Sequence, residues 1–312
     1  MAWNVLSGVL GSDAVTLSRR WARIERAGLA WITAAPGGPD PGGTLALVEF
    51  VCEPDAVLTA ADAAAADAAI CSIDLTAGRR EFIATLVVRD DAELAEYALN
   101  RMGAIPGVRS VRTHVVNEML RQGADWTVDT LGPTQRRHIP TPRPPRAGSA
   151  KRIGTALTAD LCRLLSRNGR ATCAALATEL GISAQQVSDA IARLRHDGSL
   201  VLRTDVAACH SNWPIATWYF IQAPAATVIG ARGVLDGMPT VQFAGSATGP
   251  FNLIVAAGAR AKQEVLHLEA ELELRLPHAR IMDRSVVLRR HKHLGRLLDA
   301  SGRANGQFVP LR

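Results

Sequence analysis

The chain has 312 residues, 48% of them hydrophobic, with a net charge of +6 and an isoelectric point near 9.5. That length suits about two to four domains, and that apolar content excludes wholesale disorder. No apolar run reaches the roughly 18 residues of a membrane-crossing helix, and the N-terminus lacks the cationic start and apolar core of a secretion signal, so a cytoplasmic location is expected.

The first 36 residues read as a DNA-binding head of the winged helix-turn-helix type, entered at what is normally its second helix. Asp13 is a helix cap, Leu17, Trp21 and Ile24 form an inward stripe, Gly28 closes the helix, and Leu29–Ile32 alternates as a wing strand. Over residues 43–120 the pattern predicts strand 44–51, an Ala-rich helix 54–69, strands 70–76 and 82–88, helix 91–102 and strand 108–116. Residues 131–152, rich in Pro and Arg, read as an extended semi-rigid linker. A complete head follows over 153–210. Its first helix carries Leu161, Leu164 and Leu165 on one face, and its second runs to Leu180 before Gly181. Ser183 caps a third helix packed through Val187, Ile191 and Leu194, and Gly198 ends that helix ahead of wing strand 200–203. Residues 213–292 repeat the strand–helix order, with strand 215–221, helix 225–235, strands 240–244 and 251–256, helix 261–274 and strand 280–288. Residues 293–312 form a tail.

The two halves are copies. Leu10-Gly11-Ser12-Asp13-Ala14 matches Leu180-Gly181-Ile182-Ser183-Ala184, and Ser18, Ala22 and Arg23 recur as Ser188, Ala192 and Arg193. The register persists downstream, pairing Pro54 with Pro224, Gly78 with Gly249, Pro106 with Pro277 and Arg109 with Arg280. The expected fold is therefore α+β: two winged helix-turn-helix domains and two ferredoxin-like βαββαβ sandwich domains in tandem. Helices would cover one face of each sheet and leave the other to seek a partner.

The five cysteines, Cys52, Cys71, Cys162, Cys173 and Cys209, are scattered without a CxxC spacing, so they read as reduced thiols. No metal, cofactor or catalytic constellation is expected. Cations are mostly arginine, which suits phosphate and guanine contacts.

Three segments, LATELGISAQQVSDAIARLRHDGSL, VQFAGSATGPFNLIVAAG and RSVVLRRHKHLGRLLDASGR, resemble the Lrp/AsnC (feast/famine) family of transcriptional regulators. The first copy resembles it through LGSDAVTLSRRWARIERAGLAWI and IDLTAGRREFIATLVV. The resemblance implies a regulator that binds double-stranded DNA and responds to a small effector, often an amino acid. It also implies RAM-type sandwich domains, an intrachain pseudo-dimer and further homo-oligomerisation. DNA contacts are expected from Ser183, Gln185, Gln186, Ser188, Asp189 and Arg193 in one head and from Thr16, Arg19, Arg20 and Arg23 in the other. The unlike heads predict an asymmetric operator. An effector site is expected at Thr248, Gly249, Phe251 and Asn252, with Gly78 and Arg79 as first-copy counterparts. Two alternatives stand beside this reading. One is a sirohaem-decarboxylase-like tetrapyrrole enzyme of the same fold, with His210, His291 and His293 as candidates. The other is a ligand sensor that has lost DNA binding.

Overall fold

A computed structural model describes residues 2–37, 43–126, 131–141, 144–146 and 152–311. In chain order the elements are α1 (Trp3–Leu10), α2 (Ala14–Arg26), β1 (Ala30–Pro36), β2 (Thr44–Cys52), α3 (Val57–Ala65), β3 (Ile70–Ala77), β4 (Phe82–Val88), α4 (Asp91–Glu96), β5 (Val108–Arg121), α5 (Pro133–Arg137), α6 (Thr155–Arg167), α7 (Cys173–Leu180), α8 (Ala184–His196), β6 (Leu200–Val206), β7 (Ile215–Gln222), α9 (Ala225–Asp236), β8 (Val241–Ala247), β9 (Leu253–Ala259), α10 (Glu264–Arg275), β10 (Arg280–His293), β11 (Arg296–Leu298) and β12 (Ala304–Phe308). They form two units: Met1–Pro41 with Asp129–Val206, and Gly42–Val128 with Ala207–Arg312.

The first unit holds both helix-turn-helix heads. Gly11 and Gly181 each end a helix in the left-handed region, at φ +66° and +64°, which a glycine adopts without steric cost. Asp13 and Ser183 then cap the next helix by accepting from the amides of Thr16 and Gln186. The local code is thus the same twice over. Each head contributes a single wing strand, and the two pair antiparallel from Ala30↔Val206 to Pro36↔Leu200. In the second head Leu161 and Leu165 of α6, Leu176 of α7 and Val187, Ala190 and Leu194 of α8 share one buried core, with Ile191 partly buried against it. Ala34 of β1 joins that core.

Among the described residues the first head supplies two helices against the second head's three. Its stripe is correspondingly shallow. Nothing in α2 is fully buried, and Ile24, expected inward, is exposed, because no helix equivalent to α6 covers it. Trp3 and Trp21 instead take up the Arg170 guanidinium, 3.9 and 5.6 Å from the ring centroids. The expected linker is not wholly extended, since Pro133–Arg137 forms α5, with Pro at the helix start. Linker residues 142–143 and 147–151 lie outside the described residues.

The second unit is an eight-stranded closed barrel in the order β10-β3-β4-β2-β5-β8-β9-β7, closed by β7 pairing with β10. Each repeat contributes four strands in ferredoxin-like order. The repeats join at two edges, β5 with β8 and β10 with β3. The open faces therefore meet as the inside of a barrel, through edge pairing rather than by stacking face to face. Edge closure satisfies the ladder hydrogen bonds that a flat stack would leave exposed. Both faces of β2 are buried, which explains its nearly continuous apolar run. Ala46, Val48 and Phe50 face α3, whereas Leu47 faces the barrel with Trp218, Phe220 and Ile254.

Three expectations are corrected in this unit. The Ala-rich helix is confined to Val57–Ala65. Helix 91–102 gives way after Glu96 to a π turn over Tyr97–Arg101, where the Tyr97 hydroxyl and Arg101 both bind the Asp67 carboxylate. The tail is not irregular, because β11 and β12 pair with each other and β11 extends the sheet from β10.

Each repeat also reaches under the other. Arg121, at the end of β5, donates Nη1 to the carbonyls of Leu235 and Met238 at the C-terminal end of α9. Lys292, at the matching position of β10, donates Nζ to the carbonyls of Ala65 and Asp67, both at 2.8 Å, at the end of α3. Both cations are buried and lie where a helix leaves carbonyls unsatisfied and its dipole is negative. Reciprocal capping fastens the two repeats together.

Candidate functional site

The expected DNA-reading residues occupy two comparable helices. On α8, Ser183, Gln185 and Gln186 are exposed, and Ser188, Asp189 and Arg193 are half-buried. Ser183 and Gln186 form a reciprocal capping box, so their side chains hold the helix start in addition to facing solvent. Removing it by Ser183→Ala is expected to lower stability by about 1 kcal/mol, read from a urea midpoint that falls while the slope is unchanged. Gln185 donates to Asp189 at 3.0 Å, and Arg193 lies 3.8 Å from Asp197.

On α2, Arg19, Arg20 and Arg23 are exposed and Thr16 is half-buried beside the Asp13 cap. Hydrogen bonds from the Thr16 side chain and amide hold the Asp13 carboxyl below its ordinary pKa. Among the described residues no carboxylate pairs with Arg19, Arg20 or Arg23. Since α2 occupies the same place in its head as α8, the two heads present opposite chemistry. One is densely cationic; the other mixes amides, an acid and one arginine.

In the barrel unit the expected effector residues divide. Thr248, Gly249, Gly78 and Arg79 are exposed on two equivalent turns. Thr248 donates to Asn117 Oδ1 at 2.9 Å. Asn252 is internally engaged, because it both accepts from the amide of Ala223 and donates to its carbonyl, at 2.9 and 2.7 Å. Phe251 points into the barrel rather than the turn, with its ring 5.5 Å from Phe220 and 5.9 Å from His114. The four second-copy residues therefore do not converge.

What converges is a buried polar cluster that the sequence reading missed. The Arg80 guanidinium, 1% exposed, meets Glu49 Oε2 at 2.6 Å, Asp283 Oδ2 at 2.5 Å and Ser285 Oγ at 2.8 Å, and lies 4.2 Å from the centre of the Phe220 ring. His114 Nε2 contacts Glu49 Oε1 at 2.5 Å. Burial raises the Glu49 carboxyl, but the His114 hydrogen bond and the Arg80 charge more than offset it and hold its pKa below the usual value. Glu49, Arg80 and His114 come from the first repeat. Phe220, Phe251 and Ser285 hold the matching positions of the second, so the barrel's interior is polar on one side and aromatic on the other. Two signals in the sequence pointed here: a lone acid inside the apolar run Leu45–Val51, and an arginine next to the one singled out.

The histidines proposed for an enzyme do not gather. His210 is exposed and lies 3.3 Å from Arg303 Nε. His291 is buried, with Nε2 2.8 Å from Asp62 and Nδ1 2.9 Å from Arg289; burial first, then Arg289, lowers its pKa against the opposing pull of Asp62. His293 lies two residues further along β10. Among the described residues no cluster of three potential metal ligands occurs, and no helix is long and apolar enough to cross a membrane.

Comparison with known proteins agrees with this anatomy. Residues 45–124 match the Lrp/AsnC ligand binding domain, and residues 161–198 match a winged helix-turn-helix DNA-binding domain. The chain therefore carries domains of the Lrp/AsnC ligand-binding and winged helix-turn-helix types. Its full-length fold is similar to the siroheme decarboxylase NirDL, at 14% identity and a TM-score of 0.57 over 94% of this chain and 86% of that one. The same enzyme in co-complex with an iron-uroporphyrin III analogue gives a TM-score of 0.58 at 14% identity, over 94% and 87%. AsnC of E. coli, at 16% identity, spans 44% of this chain and 91% of its own, with a TM-score of 0.36. No functionally curated protein sequence matches the chain.

Proposed function

We propose that the chain is a sequence-specific DNA-binding regulator of the Lrp/AsnC type, with its barrel unit responding to a small metabolite, an amino acid or a derivative. The observation that carries the reading is the row of exposed arginines on α2, Arg19, Arg20 and Arg23, unpaired with any carboxylate among the described residues, on a capped helix whose counterpart α8 lies in the matched DNA-binding domain. Uncompensated guanidinium groups on such a helix suit phosphate and guanine contacts. The effector is assigned to the exposed turns bearing Gly78, Arg79, Thr248 and Gly249, where backbone amides and Arg79 suit a carboxylate. Phe251 and Asn252, expected in the same site, lie outside it, one packed inside the barrel and the other bonded to the backbone of Ala223. The regulator acts as a homo-oligomer of pseudo-dimeric chains in the cytoplasm.

The test is fluorescence anisotropy with a labelled duplex over a range of salt concentrations. Each phosphate contact steepens the fall of log K with log salt by about 0.9. Arg19→Ala/Arg20→Ala/Arg23→Ala is expected to flatten that slope by about 2 to 3. An unchanged slope, or no binding by the wild-type chain, contradicts the proposal.

A tetrapyrrole enzyme is the second reading, favoured by the fold shared with the siroheme decarboxylase across 94% of the chain. The ion pairs of His291 and the exposure of His210 weigh against it. A Soret band appearing on addition of an iron porphyrin would favour it over the regulator.

A further inference from the structure

The position that differs most between the two reading helices is Arg19 in α2 and Asp189 in α8. An aspartate on a DNA-facing helix repels phosphate and is useful only where it accepts from a cytosine amine. Here it is already occupied. Arg146, from the segment joining the two repeats, binds it with both arms of the guanidinium, Nε to Oδ1 at 3.1 Å and Nη2 to Oδ2 at 3.2 Å. Gln185, one turn earlier on α8, donates to the same Oδ1 at 3.0 Å. The aspartate side chain is 21% exposed and the arginine 50%, so at the helix surface the acid is presented as a neutral ion pair.

We infer that Arg146 completes the DNA-reading surface of the second head. It neutralises Asp189 and so removes the repulsion of phosphate that a bare acid would exert at the position where the first head carries Arg19. The fork geometry fixes the guanidinium plane against α8, so this linker residue follows the helix into the groove. Arg146 is thus a positioning and specificity residue for the contact assigned above, and the inference rests on that assignment. It explains an otherwise unfavourable acid on the reading face, and it gives part of the joining segment a role beyond tethering.

The test uses the full chain and a duplex pool selected from random sequence by the wild-type protein. Arg146→Ala is expected to weaken binding about tenfold and to flatten the salt slope by about 1, with an unchanged thermal midpoint. Asp189→Asn added to Arg146→Ala should recover most of the affinity and of the slope, because it removes the exposed acid that Arg146 otherwise neutralises. Wild-type-like binding by Arg146→Ala, or tighter binding as expected of a segment that blocks the helix, overturns the inference while leaving the regulatory reading intact. Absence of any enriched duplex with wild-type protein overturns both.

Discussion

Arg80→Leu is expected to be the most damaging single substitution in the barrel, lowering stability by about 3–5 kcal/mol in thermal or urea unfolding. The cost arises less from the lost pairing than from what stays behind. Glu49 is 4% exposed and Asp283 is mostly covered, and without the guanidinium Glu49 keeps only the His114 ring at one oxygen while Asp283 loses its cation. Arg112 is 3.8 Å from Glu49 and 57% exposed, too distant and too hydrated to substitute. Adding Glu49→Leu and Asp283→Leu to Arg80→Leu should recover a large part of the loss, since an apolar interior of similar volume is tolerated where a lone buried charge is not. The second repeat already fills the positions matching Glu49 and Arg80 with Phe220 and Phe251. A loss under about 1 kcal/mol for Arg80→Leu alone would show that the cluster is solvated and not a joint between the repeats.

The second large effect concerns the reciprocal helix caps, which separate by pH. Arg121→Met should cost about 2–4 kcal/mol, because it strands the Leu235 and Met238 carbonyls in a dry environment. Lys292 behaves differently. Burial, only partly opposed by Cys71 and Asp67, pulls its amine from 10.5 to about 8. Between these values the unfolded chain binds more protons than the folded one, so this group makes stability rise with pH from about 8 to 10.5. At pH 7.5 the burial penalty of the charged amine offsets much of its hydrogen bonding, and Lys292→Met should change stability little. At pH 9.5 the native amine is neutral and still donates to both carbonyls, so the wild type should gain about 2 kcal/mol relative to Lys292→Met. Melting curves of both proteins at the two pH values measure this directly. A constant difference would mean that Lys292 keeps its ordinary affinity for protons.

The fold was legible to the extent that it depends on local chemistry. Gly11 and Gly181, the Asp13 and Ser183 caps and the Val187–Ile191–Leu194 stripe are short-range signals, and the structure uses each of them. Repetition at a nearly constant offset then located the strands. What stayed hidden is long-range. Edge closure of the barrel depends on β5 meeting β8 and β10 meeting β3, and strand periodicity says which faces are buried but not which edges join. The capping role of Arg121 and Lys292 is likewise invisible until the partner helix end is in place. The site was read one residue out of register. Arg79 drew notice as part of a charged turn, whereas its neighbour Arg80, in the same turn between β3 and β4, is the one buried inside the barrel. The same limit applied to Asn252 and Phe251, which look like turn residues in sequence yet serve as a backbone clamp and a barrel side chain. In the first head, Ile24 followed the helical period correctly, but its burial required a third helix that the described residues of that head do not supply.

Selection of binding sites from a random duplex pool by the full chain tests the regulatory reading most directly. The account predicts enrichment of a two-part site with unlike halves, one read mainly through Gln185 and Arg193 and the other tolerant in sequence but strongly dependent on salt. Failure to enrich any sequence would contradict it, and recovery of two identical inverted half-sites would contradict the division of labour between the heads.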